Sequence, residues 1–174
     1  MNKLTVRDLE VRNKRVLVRV DFNVPIAQRE AKIEITDDTR IRESLPTISH
    51  LREHGSKTIL MSHLGRPGGK RVEKYSLRPV GLYLHSLIDH PVIFSHDTIG
   101  TVPEEIIQHM QNGDVALLEN LRFQPEEEAN DPEFAKALAK LDDLTSMTPS
   151  ARPTAPTPAR SASRNSFRNP PWDS

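Results

Sequence analysis

The 174 residues carry 24 Lys and Arg against 24 Asp and Glu, a formal charge of zero, with 36% apolar and 28% charged residues and no cysteine. That length suits one domain, large enough to bury a core, while the balanced charge supplies no global field to recruit nucleic acid or an anionic membrane, so neither is an expected partner. The missing cysteine excludes disulfides, thiolate chemistry and Cys-ligated zinc, and any anion site has to be local.

The N-terminal stretch MNKLTVRDLEVRNKRVLV has no signal-peptide apolar segment, and no apolar run approaches a membrane span, so a cytoplasmic location is expected. From there to residue 143, short β-branched runs alternate with longer amphipathic ones. RVLVRVDF (Arg15 to Phe22), KTILMS (Lys57 to Ser62), PVIFS (Pro91 to Ser95) and VALLEN (Val115 to Asn120) read as strands, each too short for a helix and rich in Val, Ile and Leu. Asp37 to Gly55 places Ile41, Leu45, Ile48 and Leu51 on one face between an Asp start and a Gly stop, which is a capped crossover helix. Ser76 to His90 and Thr101 to Gly113 repeat that theme, and Asp131 to Leu141 opens with Asp-Pro and aligns Phe134, Leu138 and Leu141. Strand and helix alternating in this way predict an α/β fold, a three-layer, Rossmann-like parallel sheet flanked by helices.

The text changes at Leu144. Residues 144–174 contain six prolines, four arginines, no lysine, no glycine and one acidic residue, Asp173, with no periodicity. Composition of this kind predicts a disordered tail, so the expected division is a folded unit over 1–143 and a tail over 144–174. A PxxP spacing in RPTAPTP (Arg152 to Pro158) is also compatible with a polyproline ligand.

Three loops follow three of the expected strands: DFNVP (Asp21 to Pro25), SHLGRPGG (Ser62 to Gly69) and ENLRF (Glu119 to Phe123). At the carboxyl ends of parallel strands such loops converge on the ligand crevice. His63, Arg66, Arg122 and Arg40 would then form a cationic group suited to phosphate and carboxylate oxygens, and Asp21 and Asn23 would hold hydroxyls. Taken singly, each feature has an ordinary structural reading. HLGRPGG can be a solvated turn, Asp21 and Asn23 can close a strand through Asx turns, and Arg122 can be a surface ion pair. The joint placement favours a small phosphorylated hydroxy acid. GRPGGKR (Gly65 to Arg71) fails the P-loop spacing, and Arg71 stands where the Mg²⁺-binding hydroxyl would be. PEEEAND (Pro125 to Asp131) reads as a solvated loop before a helix, and the seven histidines show no metal-ligand spacing.

VLVRVDFNVPI, TDDTRIRESLPTI, LMSHLGRPGG and VALLENLRF, in this order and at these distances, resemble the N-terminal domain of phosphoglycerate kinases over residues 1 to about 143. The resemblance implies the glycolytic transfer of a phosphoryl group between 1,3-bisphosphoglycerate and ADP, giving 3-phosphoglycerate and ATP, by an enzyme that is usually monomeric. It implies substrate binding by Asp21, Phe22, Asn23, Arg40, His63, Leu64, Gly65, Arg66 and Arg122, with Arg40 catalytic. ATP or ADP with Mg²⁺ would bind a separate C-terminal domain whose residues this chain lacks, so the chain is expected to be inactive alone. The alternative is a free-standing small-phosphate-binding module.

After AKLDDL the family continues with a buried strand and loop of the type YVNDAFGTAHRAHAS. If the last base of each tail codon is read with the first two bases of the next, Met147 followed by Thr148 forces Asp, and every other step is narrowed to a few residues. From Leu144 the permitted choices include that whole continuation in unbroken succession. A single-base deletion near codon 144 is therefore the expected origin of the tail. The strand due after Leu141 is then expected to be lost, leaving a neighbouring strand's edge uncovered.

Overall fold

The computed structural model describes residues 6–147. After a 3₁₀ turn at Val6–Asp8 the order is β1 (Arg15–Arg19), β2 (Ile26–Arg29), β3 (Lys32–Ile35), α1 (Thr39–Glu53), β4 (Lys57–Met61), α2 (Arg78–Ile88), β5 (Val92–Ser95), α3 (Thr101–His109), β6 (Val115–Leu118), α4 (Pro125–Glu128), α5 (Pro132–Ala139) and β7 (Leu144–Met147). Further 3₁₀ turns lie at Glu73–Tyr75 and Leu121–Phe123. Five strands form one parallel sheet in the order β5-β6-β4-β1-β7, and β2 with β3 forms a separate antiparallel hairpin.

Strand alternation divides the core between the two sheet faces. Val16 and Val18 of β1, Leu60 of β4, and Val115 and Leu117 of β6 join Ile41, Ile48 and Leu51 of α1 and Val80 and Leu84 of α2. Leu17, Ile59, Met61, Ala116 and Leu118, the intervening residues, join Ile107 of α3 and Phe134 and Leu138 of α5. Covered on both faces, the strands need apolar residues at every position, which is why they read as continuous Val, Ile and Leu runs. The expected three-layer α/β fold is therefore present.

α1 runs through Pro46 without ending. An interior proline costs about 3 kcal/mol. Ile41, Ile48 and Leu51 are wholly buried beneath the helix, and at about 1.5–3 kcal/mol for each buried side chain they outweigh that cost. α5 begins as its Asp-Pro start implies, with Asp131 Oδ1 accepting from the amides of Glu133 at 2.7 Å and Phe134 at 3.3 Å.

The structure corrects the expectation for the start of the tail. Leu144–Met147 is not irregular: it is β7, paired in parallel with β1 so that Val16 faces Leu144 and Arg19 faces Met147. Backbone ladders make no demand on side-chain identity, and the residues just before Leu144 fix the register. Asp143 donates its amide to the Arg15 carbonyl at 2.8 Å. Its carboxylate accepts from the Arg15 amide at 2.9 Å and from Arg15 Nη2 at 3.0 Å. Thr145 and Ser146 are buried, and Thr145 Oγ1 donates to Asp142 Oδ2. The β1 edge is thus occupied. The remaining tail residues 148–174, including the PxxP segment, lie outside the described residues. The hairpin of β2 and β3 was not read from the sequence at all.

Candidate anion site

The site grows from the carboxyl ends of β1, β4 and β6. Beyond β1 the chain is tied to its neighbour by the Val20 amide on the Met61 carbonyl at 3.0 Å and the Phe22 amide on Ser62 Oγ at 2.9 Å. Asp21 Oδ1 accepts from the Asn23 amide at 3.1 Å, an Asx turn that reverses the chain at once. The same carboxylate receives Arg40 Nη1 at 2.9 Å on Oδ2 and 3.1 Å on Oδ1. Arg40, in the first turn of α1, is half exposed, and it also reaches the Asn23 carbonyl at 3.3 Å. A cation at a helix N-terminus opposes the macrodipole; Asp21 supplies the compensating charge.

Gly65 joins all three strand ends. Its amide donates to Asn23 Oδ1 at 3.0 Å, and its carbonyl accepts from Arg122 Nη1 at 3.0 Å. It sits at φ +62°, and a Cβ there would come within 2.4 Å of the Tyr75 ring, so only glycine lets the loop lie this close. Arg122 is positioned through Asn120, whose buried side chain accepts from the Arg122 amide at 3.0 Å and the Leu64 amide at 3.2 Å. Asn120 Nδ2 donates to the carbonyls of Leu64 at 2.7 Å and Tyr75 at 2.9 Å.

His63 lies among these groups with its pKa lowered to about 4. Burial is the main cause, followed by the cations of Arg122 and Arg19; Asp21 opposes them and Arg40 adds to the depression. Near neutral pH it is a neutral imidazole rather than the cation that residue type alone suggested, able to donate one hydrogen bond and accept another. Arg66 is exposed and makes no hydrogen bond or ion pair among the described residues. Phe22 and Leu64 turn their side chains into the core, so only their backbones face the crevice.

Three supporting groups escaped the sequence reading. Glu119 is buried where β6 ends and accepts from Ser76 Oγ at 2.8 Å, the Leu77 amide at 2.9 Å and the Asn120 amide at 2.8 Å, which fixes the start of α2. Asn120 stood within the ENLRF motif with no role assigned to it. Arg19 and Glu127 form a buried ion pair at 3.2 Å, so the acidic run is not wholly solvated as its composition implied. Nothing in an isolated PEEE tetrapeptide marks which acid turns inward.

The family model of phosphoglycerate kinase matches residues 6–146. The phosphoglycerate kinase of Acidobacterium capsulatum is 54% identical over 150 residues, covering 83% of this chain and 37% of the relative. That of Herpetosiphon aurantiacus is 54% identical over 144 residues, covering 83% and 36%. Among solved structures, the phosphoglycerate kinase from Coxiella burnetii superposes with a TM-score of 0.74 at 31% identity, covering 95% of this chain and 41% of that one. The enzyme from Pyrococcus horikoshii gives 0.73 at 30% identity, covering 93% and 40%. The chain spans little more than a third of the length of the curated relatives it matches. With the matched segment running from the first 3₁₀ turn into β7, the chain belongs to the phosphoglycerate kinase family.

Proposed function

We propose that this chain is the phosphoglycerate-binding half of a phosphoglycerate kinase and holds 3-phosphoglycerate, or the 1,3-bisphosphoglycerate formed from it, at the ends of β1, β4 and β6. The observation that carries this reading is the convergence on Gly65 of Asn23 from the first loop and Arg122 from the third. We assign Arg66, carried by the same loop and without a hydrogen bond or ion pair among the described residues, to that crevice together with the neutral His63 and Arg40. Asp21, with one edge occupied by Arg40, and the Asn23 side chain suit the hydroxyl of the substrate. Arg66 and Arg122 suit its phosphate and carboxylate.

Phosphoryl transfer depends on position and on stabilising charge spread over the transferring oxygens. Arg40 is the residue to which we give that role. Asp21 holds one end of its guanidinium, while Nε and Nη2 make no hydrogen bond among the described residues. The Gly65–Arg71 loop lacks P-loop spacing, and Arg71 is engaged by the His96 carbonyl and Asp97. Mg²⁺ and ATP or ADP are accordingly assigned to a separate half, and this chain by itself to binding without turnover. No helix among the described residues is long and apolar enough to cross a membrane; the cytoplasmic location is proposed on the family's glycolytic activity alone.

Titration calorimetry of the chain with 3-phosphoglycerate tests the reading. Saturable binding is expected, with Arg66→Ala and Arg122→Ala each weakening it about tenfold by removing a charge-assisted bond, and with no heat from MgATP. Binding indifferent to both substitutions would place the site elsewhere.

A further inference from the structure

Three residues of the short helix α4 touch separate parts of the site. Glu127 reaches across to the end of β1, where its Oε1 lies 3.2 Å from Arg19 Nη2, with side-chain exposures of 4% and 8%. Pro125 lies against Gly69, at φ +71°, so closely that a Cβ on the glycine would meet Pro125 Cβ at 2.8 Å and Cα at 3.1 Å. Glu128 Oε1 stands 3.7 Å from Arg122 Nε. A helix of four residues has no stability of its own, so its placement comes from these contacts and from the 3₁₀ turn that precedes it.

A buried ion pair adds little stability beyond what a well-packed apolar pair of similar volume would supply; its best-attested use is to fix one arrangement among several. The arrangement fixed here is the seat of the loop that carries Arg66. That loop runs from Ser62 to Tyr75, with Gly65, Gly68 and Gly69 all at positive φ. Three glycines leave it many conformations to choose from. Tyr75 against Gly65 restrains one side of Arg66, and Pro125 against Gly69 restrains the other.

We propose that Glu127 is a positioning residue of the anion site: by pairing with Arg19 it seats α4, and Pro125 of α4 in turn seats the glycine loop so that Arg66 is held over the crevice. This rests on the binding role proposed above for Arg66. Glu127 itself touches no substrate. A cation whose carrier loop is already ordered loses less conformational freedom on binding, so affinity depends on the seat as well as on the charge.

The test is a double-mutant cycle on the full 174-residue chain, read by titration with 3-phosphoglycerate and by backbone hydrogen exchange over Gly65–Lys70. Glu127→Ala weakens binding about tenfold, and in that background Arg66→Ala costs no more than about a further twofold, because the two act through one contact. Glu127→Gln, which keeps an acceptor for Arg19, recovers most of the affinity. Loop exchange accelerates in Glu127→Ala while that of β1, β4 and β6 does not. Gly69→Ala disturbs the same seat from the loop side without opening the core and reproduces both effects if Glu127→Ala does not fold. Additive losses, or loop exchange unchanged in Gly69→Ala, overturn the proposal. If the unsubstituted chain does not bind 3-phosphoglycerate, the binding role of the site fails, and loop exchange alone then decides whether Glu127 seats the loop.

Discussion

The depressed pKa of His63 makes stability depend on pH in a defined window. In the unfolded chain the imidazole titrates near 6.5, and in the folded chain near 4. Between those values the unfolded state binds more protons, so stability rises with pH across the window; the full contribution is present above pH 6.5 and is lost below pH 4. At about 1.4 kcal/mol for each tenfold change in proton affinity, the displacement corresponds to about 3 kcal/mol. That is a large part of the 5–15 kcal/mol typical of a whole domain. The perturbation is His63→Gln, which keeps a hydrogen-bonding side chain of similar reach and removes the titration. Urea unfolding of both proteins at half-unit steps from pH 4 to 7.5 isolates the effect, because the carboxylates titrate alike in each. The unsubstituted chain should lose about 3 kcal/mol more than His63→Gln on acidification through the window. Parallel stability curves would refute the argument by showing that His63 is solvated or freely protonated in the folded protein.

3-Phosphoglycerate bound beside His63 should favour protonation of the imidazole, so titrations near pH 5 in buffers of different ionisation enthalpy should show more proton uptake by the unsubstituted chain than by His63→Gln, in which only the ligand phosphate's own titration remains. Gly65→Ala combines a left-handed backbone with a ring clash against Tyr75, so it should cost at least about 1–2 kcal/mol in thermal unfolding and abolish phosphoglycerate binding. Asp143→Ala should speed backbone exchange in Leu144–Met147 while lowering global stability by no more than about 1 kcal/mol, since its ion pair with Arg15 is more than a third exposed. Glu119→Ala leaves the Ser76 hydroxyl and two amides without their acceptor. It should therefore destabilise the chain by about 1–3 kcal/mol for each buried group left unpaired.

How much of this was legible follows from what each pattern depends on. The central strands and four main helices announced themselves because burial on two faces writes apolar runs and burial on one face writes a 3.6-residue period. The meeting of the loops that carry Asp21, Asn23, His63 and Arg122 followed from a topological rule, that loops at the carboxyl ends of parallel strands converge. The charge state of His63 was not legible, since it depends on burial and on arginines from three separate segments, Arg19, Arg40 and Arg122. The hairpin of β2 and β3 was missed because its residues are half-buried or exposed, so no face imposes an alternation. Glu127 was misread because its neighbours Glu126 and Glu128 have the same chemistry, and only the position of Arg19 distinguishes the three.

β7 separates two kinds of structural information that usually travel together. Its residues, Leu-Thr-Ser-Met, contain one strong apolar residue before Met147 and would not be chosen as a sheet-edge strand on propensity. The ladder to β1 forms because Arg15 and Asp143 align the chain immediately upstream, and because backbone amides and carbonyls are the same in any text. If the tail is a frame-displaced copy of the family's continuation, backbone pairing can therefore survive the displacement for as far as the register is set from outside, while the side chains that would have faced the crevice cannot. Restoring one base at codon 144 would keep Leu144 and replace Thr-Ser-Met after it by Tyr-Val-Asn in the same ladder. The strand would keep its place, and the gain would be in what its residues and the following loop offer to the substrate. The corrected product should bind 3-phosphoglycerate more tightly than the present chain, whereas exchange protection at Leu144 should be similar in the two products. A correction that raises protection of this strand sharply without changing affinity would mean that side-chain packing, not the Arg15–Asp143 anchor, is what holds β7 on the sheet.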